Sequence, residues 1–185
     1  LLEPFSSRWF YGDALFIIDP WLLAMLGSGI WLSLRRERSG VSGWPVPARV
    51  AIVAVLAYVA LNIGISRTAA ARVRGDVPYP ELAVANAVPL AFWRREVLWR
   101  GADGTYGAIG CVWLECRHYP LVVRKTGMAD PRLAERTRDN PAAQAFLFWS
   151  RLPIAEIHGD AIVLKDQRFM QRGGSGPFSV ELRGK

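Results

Sequence analysis

The chain has 185 residues, enough for one or two modules, and carries 23 Lys and Arg against 16 Asp and Glu, a formal net charge of +7. That excess is spread out, with eight basic against five acidic residues in 1–76 and 15 against 11 in 77–185, and no basic run is interleaved with aromatics, so no nucleic-acid partner is expected. A mean hydropathy of +0.15 beside 21% charged residues is high for a soluble protein, and the basic balance suits a chain lying against anionic lipid.

The opening Leu-Leu-Glu-Pro lacks Met and has no basic stretch leading into an apolar one, so a signal peptide is not expected there and a longer amino-terminal portion is expected to precede it. Residues 1–13 are aromatic-rich, and Trp9, Phe10 and Tyr11 suit an interfacial belt. Ala14–Leu34 then carries one charge, Asp19, in 21 residues, and Val50–Ser66 carries none in 17. Roughly 20 apolar residues, rising about 1.5 Å each, cross a bilayer core of about 30 Å. The expectation is a two-span transmembrane hairpin over residues 1–74, with spans at about 14–34 and 46–66. Pro20 falls in the first two turns, where a lost hydrogen bond is least harmful, and Gly27-Ser28-Gly29 permits close helix approach. The loop between the spans holds Arg35, Arg36, Arg38 and Arg49. Asn62 either hydrogen-bonds across the hairpin or lies near the interface, and the second is slightly favoured. The competing reading of the two runs is a pair of buried core helices in a soluble protein.

Orientation is undecided, because Arg8, Arg67, Arg72 and Arg74 match the four loop arginines. A two-span hairpin nevertheless returns residues 1–13 and everything after Arg67 to one face.

Gly75–Pro80 reads as a linker, and the hydrophobic period changes after it. Arg94–Arg100 and Tyr106–Arg117 are strand-like runs flanking the turn Gly101-Ala102-Asp103-Gly104, and Leu121–Lys125 adds a short strand. Asp130-Pro131 and Asn140-Pro141 are helix starts, each a good cap before proline. Ile154–His158 and Ala161–Lys165 form a hairpin about Gly159-Asp160, and Phe178–Leu182 is a last strand. The expected fold class is α+β with a membrane part: the hairpin, then over 77–185 a small, mainly antiparallel β domain with one or two short helices. Within one strand a spacing of five puts Cys111 and Cys116 on opposite faces, so they read as two small buried hydrophobes rather than a disulfide.

No compact catalytic signature such as GxSxG, HExxH or a phosphate loop is present. His118 and His158 are forty residues apart and read as surface or turn histidines. The candidate metal ligands are Asp13 and Asp19. Six residues apart, they lie about 240° apart around a helix, with Asp19 about 9 Å deeper, and share a cavity only if Asp13 precedes the helix. The alternatives are a helix cap for Asp13 and a structural pairing for Asp19. A carboxylate inside a span is costly and marks a functional site by default. In the outer domain Arg151 and Arg168 could hold a phosphate or carboxylate bidentately beside Asp166, while the plainer reading is an internal salt bridge.

On these residues the chain resembles a known family. PFSSRWFYGDALFIIDP is similar to a middle segment of bacterial inner-membrane, metal-dependent hydrolases related to the LexA-regulated membrane hydrolases. NAVPLAFWRREVLW, FLFWSRLP and DQRF resemble later segments of the longer-tailed branch. The resemblance spans most of the chain and implies the carboxy-terminal portion of a multi-pass inner-membrane hydrolase that uses a divalent metal, zinc being the candidate, in the complete protein. Asp13 and Asp19 match the acids of the middle segment. The family's H-R-G-x-T-H segment lies upstream and is absent from this sequence, so this chain alone is expected to be inactive. The bilayer is the expected partner, with a lipid-related or phosphate-containing substrate. The alternative function is a non-catalytic, membrane-anchored α+β module that binds a partner or a lipid head group.

Overall fold

The computed structural model describes residues 14–16, 18–77, 79–117, 123–170 and 178–183. Among them the chain is α+β, with four helices and antiparallel strand pairs. It divides into two compact units that are not contiguous in sequence. One comprises the described residues up to Arg72 with Val84–Val97 and Gly110–Arg117. The other comprises Val73–Ala83, Leu98–Ile109 and the described residues beyond Arg117.

Helix α1 runs Pro20–Arg38. Its start is fixed by Asp19, the N-cap, whose Oδ1 accepts from the Trp21 and Leu22 N–H groups at 3.0 and 3.1 Å. Proline at the first helical position has no N–H to lose. The expected first span therefore does not begin at Ala14. Its helical apolar part, Pro20–Leu34, is about 22 Å long, short of a bilayer core, and Arg35, Arg36 and Arg38 fill the last turn.

Helix α2 runs Val46–Asp76, 31 residues or about 46 Å. Among the described residues it is the one helix long and apolar enough to cross a membrane, so one of the two expected spans is supported by length and composition and the second is not. Val50, Val53 and Leu56 are each more than 60% exposed, which a helix buried in a soluble core would not allow.

The two helices pack antiparallel through three successive contacts. Tyr58 meets Asp19, the Ala48 N–H donates to Ser33 Oγ at 3.0 Å, and a Cβ added at Gly29 would run into that of Ala51. Of the expected glycine pair, Gly29 makes the close approach and Gly27 faces open space.

Strands β1 (Pro80–Val88), β2 (Ala91–Gly101), β3 (Thr105–Val112) and β4 (Glu115–Arg117) are hydrogen-bonded neighbours in that order, and β5 (Arg124–Lys125) pairs with β3. β1 was not expected, because its Ala, Glu and Asn are poor strand formers and pairing with β2 overrides them. The run Tyr106–Arg117 is two strands with a turn at Trp113-Leu114. That turn corrects the reading of the cysteines. They are not two positions of one strand but directly opposed partners across an antiparallel pair, Cys111↔Cys116, and they form a disulfide. Trp113 at the turn has φ +53, a costly conformation for a bulky residue, and its N–H donates to Trp93 O.

Helices α3 (Pro131–Arg138) and α4 (Pro141–Trp149) start at the expected caps Asp130 and Asn140. Strands β6 (Pro153–His158), β7 (Ala161–Asp166) and β8 (Ser179–Leu182) form a separate antiparallel sheet. The tight turn at Gly159-Asp160 needs φ +61 at the glycine, which costs glycine little. Leu133, Ala143, Phe146, Ile162, Leu164 and Leu182 form the core of this α3–α4 and β6–β8 assembly.

Candidate functional site

Two polar clusters stand out, one in each unit. The first begins at Asp19. Its Oδ1 is occupied by the first turn of α1, and its Oδ2 accepts the Tyr58 hydroxyl at 2.9 Å. One turn further along α2, the Asn62 side-chain amide donates to the Tyr58 carbonyl at 2.8 Å. Asn62 Oδ1 in turn accepts from Arg95 at 2.7 Å, and Ser66 Oγ accepts from Arg95 Nε at 2.8 Å. Arg95, on β2, is 1% exposed; its Nη1 donates to the Phe92 and Arg94 carbonyls, and Nη2 also reaches the carbonyls of Asn62 and Ala14. Burial pushes the guanidinium below its ordinary value, against the opposing fields of Tyr58 and Asp19, but arginine stays protonated at any ordinary pH. The cluster thus holds a buried positive charge tied through neutral groups to a carboxylate.

Asn62 is 1% exposed, and its partners are Tyr58 on its own helix and Arg95 on β2 rather than a group across the hairpin. Tyr58 and Arg95 were missed, although signals existed. Tyr58, Asn62 and Ser66 recur every four residues, a polar stripe on one face of an apolar helix. Arg95 is in phase with the buried Val97 and Trp99 of β2, on the inward side of the strand's alternation.

Beside this network lies an open apolar groove of about 440 Å³, lined by Trp21, Met25, Ser28, Tyr58, Leu61 and Phe92. The Trp21 indole N–H donates to the Leu90 carbonyl, and Phe92 meets Trp21 and Tyr58 edge-on.

The second cluster surrounds Asp166, at the end of β7, which is 1% exposed. Arg168 grips it bidentately, Nε to Oδ1 and Nη2 to Oδ2 at 3.0 Å each, and its own N–H adds a bond to Oδ1. Ser150 Oγ donates to Oδ2 at 2.6 Å and the Arg151 N–H at 3.1 Å. Burial pushes the Asp166 carboxyl up, but the bonds from Arg168 and Ser150 outweigh it and hold it below the usual carboxylate range. The Arg168 guanidinium also lies 5.1 Å from the ring centres of both Trp149 and Phe169. The structure therefore brings Arg151, Asp166 and Arg168 together, Arg151 through its backbone N–H, in an arrangement that joins the end of α4 to the end of β7.

Of the two expected metal ligands, Asp13 lies outside the described residues. Asp19 has three donors on its two oxygens, and among the described residues no group of three His, Cys, Asp or Glu converges to hold a metal. These residues alone do not fit a divalent metal. His118 lies outside the described residues, and His158 is exposed on β6 beside Glu156. No family model, curated protein or solved structure matches the chain.

Proposed function

We propose that the chain is a membrane-anchored module, the carboxy-terminal part of a bacterial inner-membrane, metal-dependent hydrolase, and that these residues supply anchoring and positioning rather than the metal centre. The observation that carries the anchor is α2, a 31-residue helix whose outward side chains over 50–64 are all apolar. In the bilayer that exposure costs nothing, whereas in water it would leave a large adhesive patch. We take α1 as the second arm of the hairpin. The buried network then satisfies Asp19, Tyr58 and Asn62 internally, as an apolar solvent demands.

The hydrolase part of the reading rests on the resemblance of PFSSRWFYGDALFIIDP and FLFWSRLP to that family. Asp19 lies at the end of the first of these segments. In the complete protein a histidine-containing segment upstream would provide the ligands of a metal, zinc being the candidate, that makes a water molecule nucleophilic. The groove beside Tyr58 and Phe92 suits the apolar part of a lipid-related substrate.

A second reading is favoured by one observation: both oxygens of Asp19 are already bonded. In it the chain is a non-catalytic anchor that binds a partner or lipid head group. Metal analysis separates the two. A protein that includes the preceding coding sequence should hold stoichiometric metal, lost on Asp19→Asn with abundance preserved, if the hydrolase reading is right. Unchanged metal content with reduced abundance would leave Asp19 a structural residue.

A further inference from the structure

The charge rule leaves the orientation of the hairpin tied, and the β3–β4 turn breaks the tie. Cys111 and Cys116 are the only cysteines of the chain and both are consumed in one disulfide. The pairing is built into the fold: they are directly opposed across an antiparallel pair, and Cys111 is 1% exposed. The turn they close carries Trp113 at φ +53, which gives the crosslink a local task of holding a costly backbone conformation. No third ligand joins them among the described residues, which argues against a metal site. Disulfides persist outside the reducing cytoplasm and are rare within it.

We infer that the sheet carrying Cys111 and Cys116 lies on the oxidising, extracytoplasmic face of the membrane. The loop with Arg35, Arg36 and Arg38 accordingly lies in the cytoplasm, an orientation the tied arginine counts neither favour nor oppose. The placement of the loop, and of a membrane beside the sheet, rests on the membrane reading proposed above; the oxidising compartment of the sheet does not. In the oxidation step the two thiols give up two protons and two electrons as the S–S bond forms. The acceptor is the disulfide of an extracytoplasmic thiol oxidoreductase, which is reduced to its dithiol by exchange. Any ligand met by this face of the protein is consequently met outside the cytoplasm.

The test is thiol trapping with a maleimide-linked polymer on the chain expressed in a bacterial host, with and without its periplasmic thiol oxidase. Companion fusions carry alkaline phosphatase or a green fluorescent protein after Lys185. The expected result is no adduct until reductant is added, then two, together with an active phosphatase fusion. Deleting the oxidase should expose both thiols without reductant, and Cys111→Ser should give one adduct without reductant in either host. Two adducts without reductant in the oxidase-competent host, or a fluorescent cytoplasmic fusion, would overturn the inference. Alkaline carbonate washing is run on the same cells. Chain released by the wash but still oxidised would remove the membrane anchor and leave the compartment standing; chain retained but reduced would do the opposite.

Discussion

The Tyr58 hydroxyl donates to Asp19 Oδ2 at 2.9 Å, joining residues 39 positions apart at the point where α1 begins. The same carboxylate caps α1 through its other oxygen, so one side chain both starts a helix and fastens it to its neighbour. An unbonded carboxylate in so apolar a setting would be costly.

Tyr58→Phe removes one hydrogen bond to a charged acceptor, and a loss of about 1.5–3 kcal/mol is expected. Asp19→Ala removes the cap as well, adding about 0.5–2 kcal/mol. Asp19→Asn keeps the cap and should cost less than Asp19→Ala. Thermal melting of the purified protein in detergent or nanodiscs checks the order. A double-mutant cycle of Asp19→Asn with Tyr58→Phe should show non-additivity; additive losses would mean that the pair is not coupled.

Gly29→Ala should destabilise the helix pair by about 1–3 kcal/mol, because its methyl group meets Ala51. Gly27→Ala, two residues away in open space, should be neutral or stabilising, since alanine is the better helix former by about 1 kcal/mol. Melting of the two variants side by side gives the comparison, and equal losses would place the close approach elsewhere.

This contrast marks what the sequence could disclose. The Gly27-Ser28-Gly29 motif announces a close approach, but either glycine could make it, and only the rotation of α1 against α2 decides. The caps Asp130 and Asn140 were legible because capping is local chemistry carried by a few consecutive residues. The start of α1 was not, because an apolar run from Ala14 conceals the cap that interrupts it. Cys111 and Cys116 were misread for a similar reason. A turn at Trp113-Leu114 has neither glycine nor proline to announce it, and its conformation is held by the disulfide and by the bond to Trp93. At the candidate site, Asp19 could be picked out as an acid among apolar residues, and Asp166 and Arg168 by their spacing. The partners Tyr58 and Arg95 required reading the four-residue stripe and the strand alternation together.

Asp166 gives the pH dependence. Its carboxyl is held below the usual range in the fold, while the unfolded chain titrates near about 3.9. A depressed pKa contributes stability that is fully present above the unfolded value and lost as pH falls through the folded one. Melting temperature should therefore be steady near neutral pH and fall below about pH 4. Asp166→Asn should lower it at neutral pH and flatten the acid decline. An unchanged decline in the variant would assign it to other carboxylates, Glu156 among them, which Lys165 holds low.

The reach of the anchor can be read from α1. In a two-span hairpin Leu15→Cys is labelled from the same side as Asp139→Cys. If α1 lies along the surface, Leu15→Cys is labelled from the side of Ser42→Cys instead. The native cysteines, closed in a disulfide, give no background under non-reducing conditions.

The central claim is that α2 crosses a bilayer, and the most direct test is the sidedness of Ser42→Cys and Asp139→Cys, which flank it, toward an impermeant maleimide in sealed vesicles of known orientation. The account predicts that one of the two reacts in intact vesicles and the other only after the membrane is opened. Reaction of both in intact vesicles, or protection of both until the membrane is opened, would contradict it.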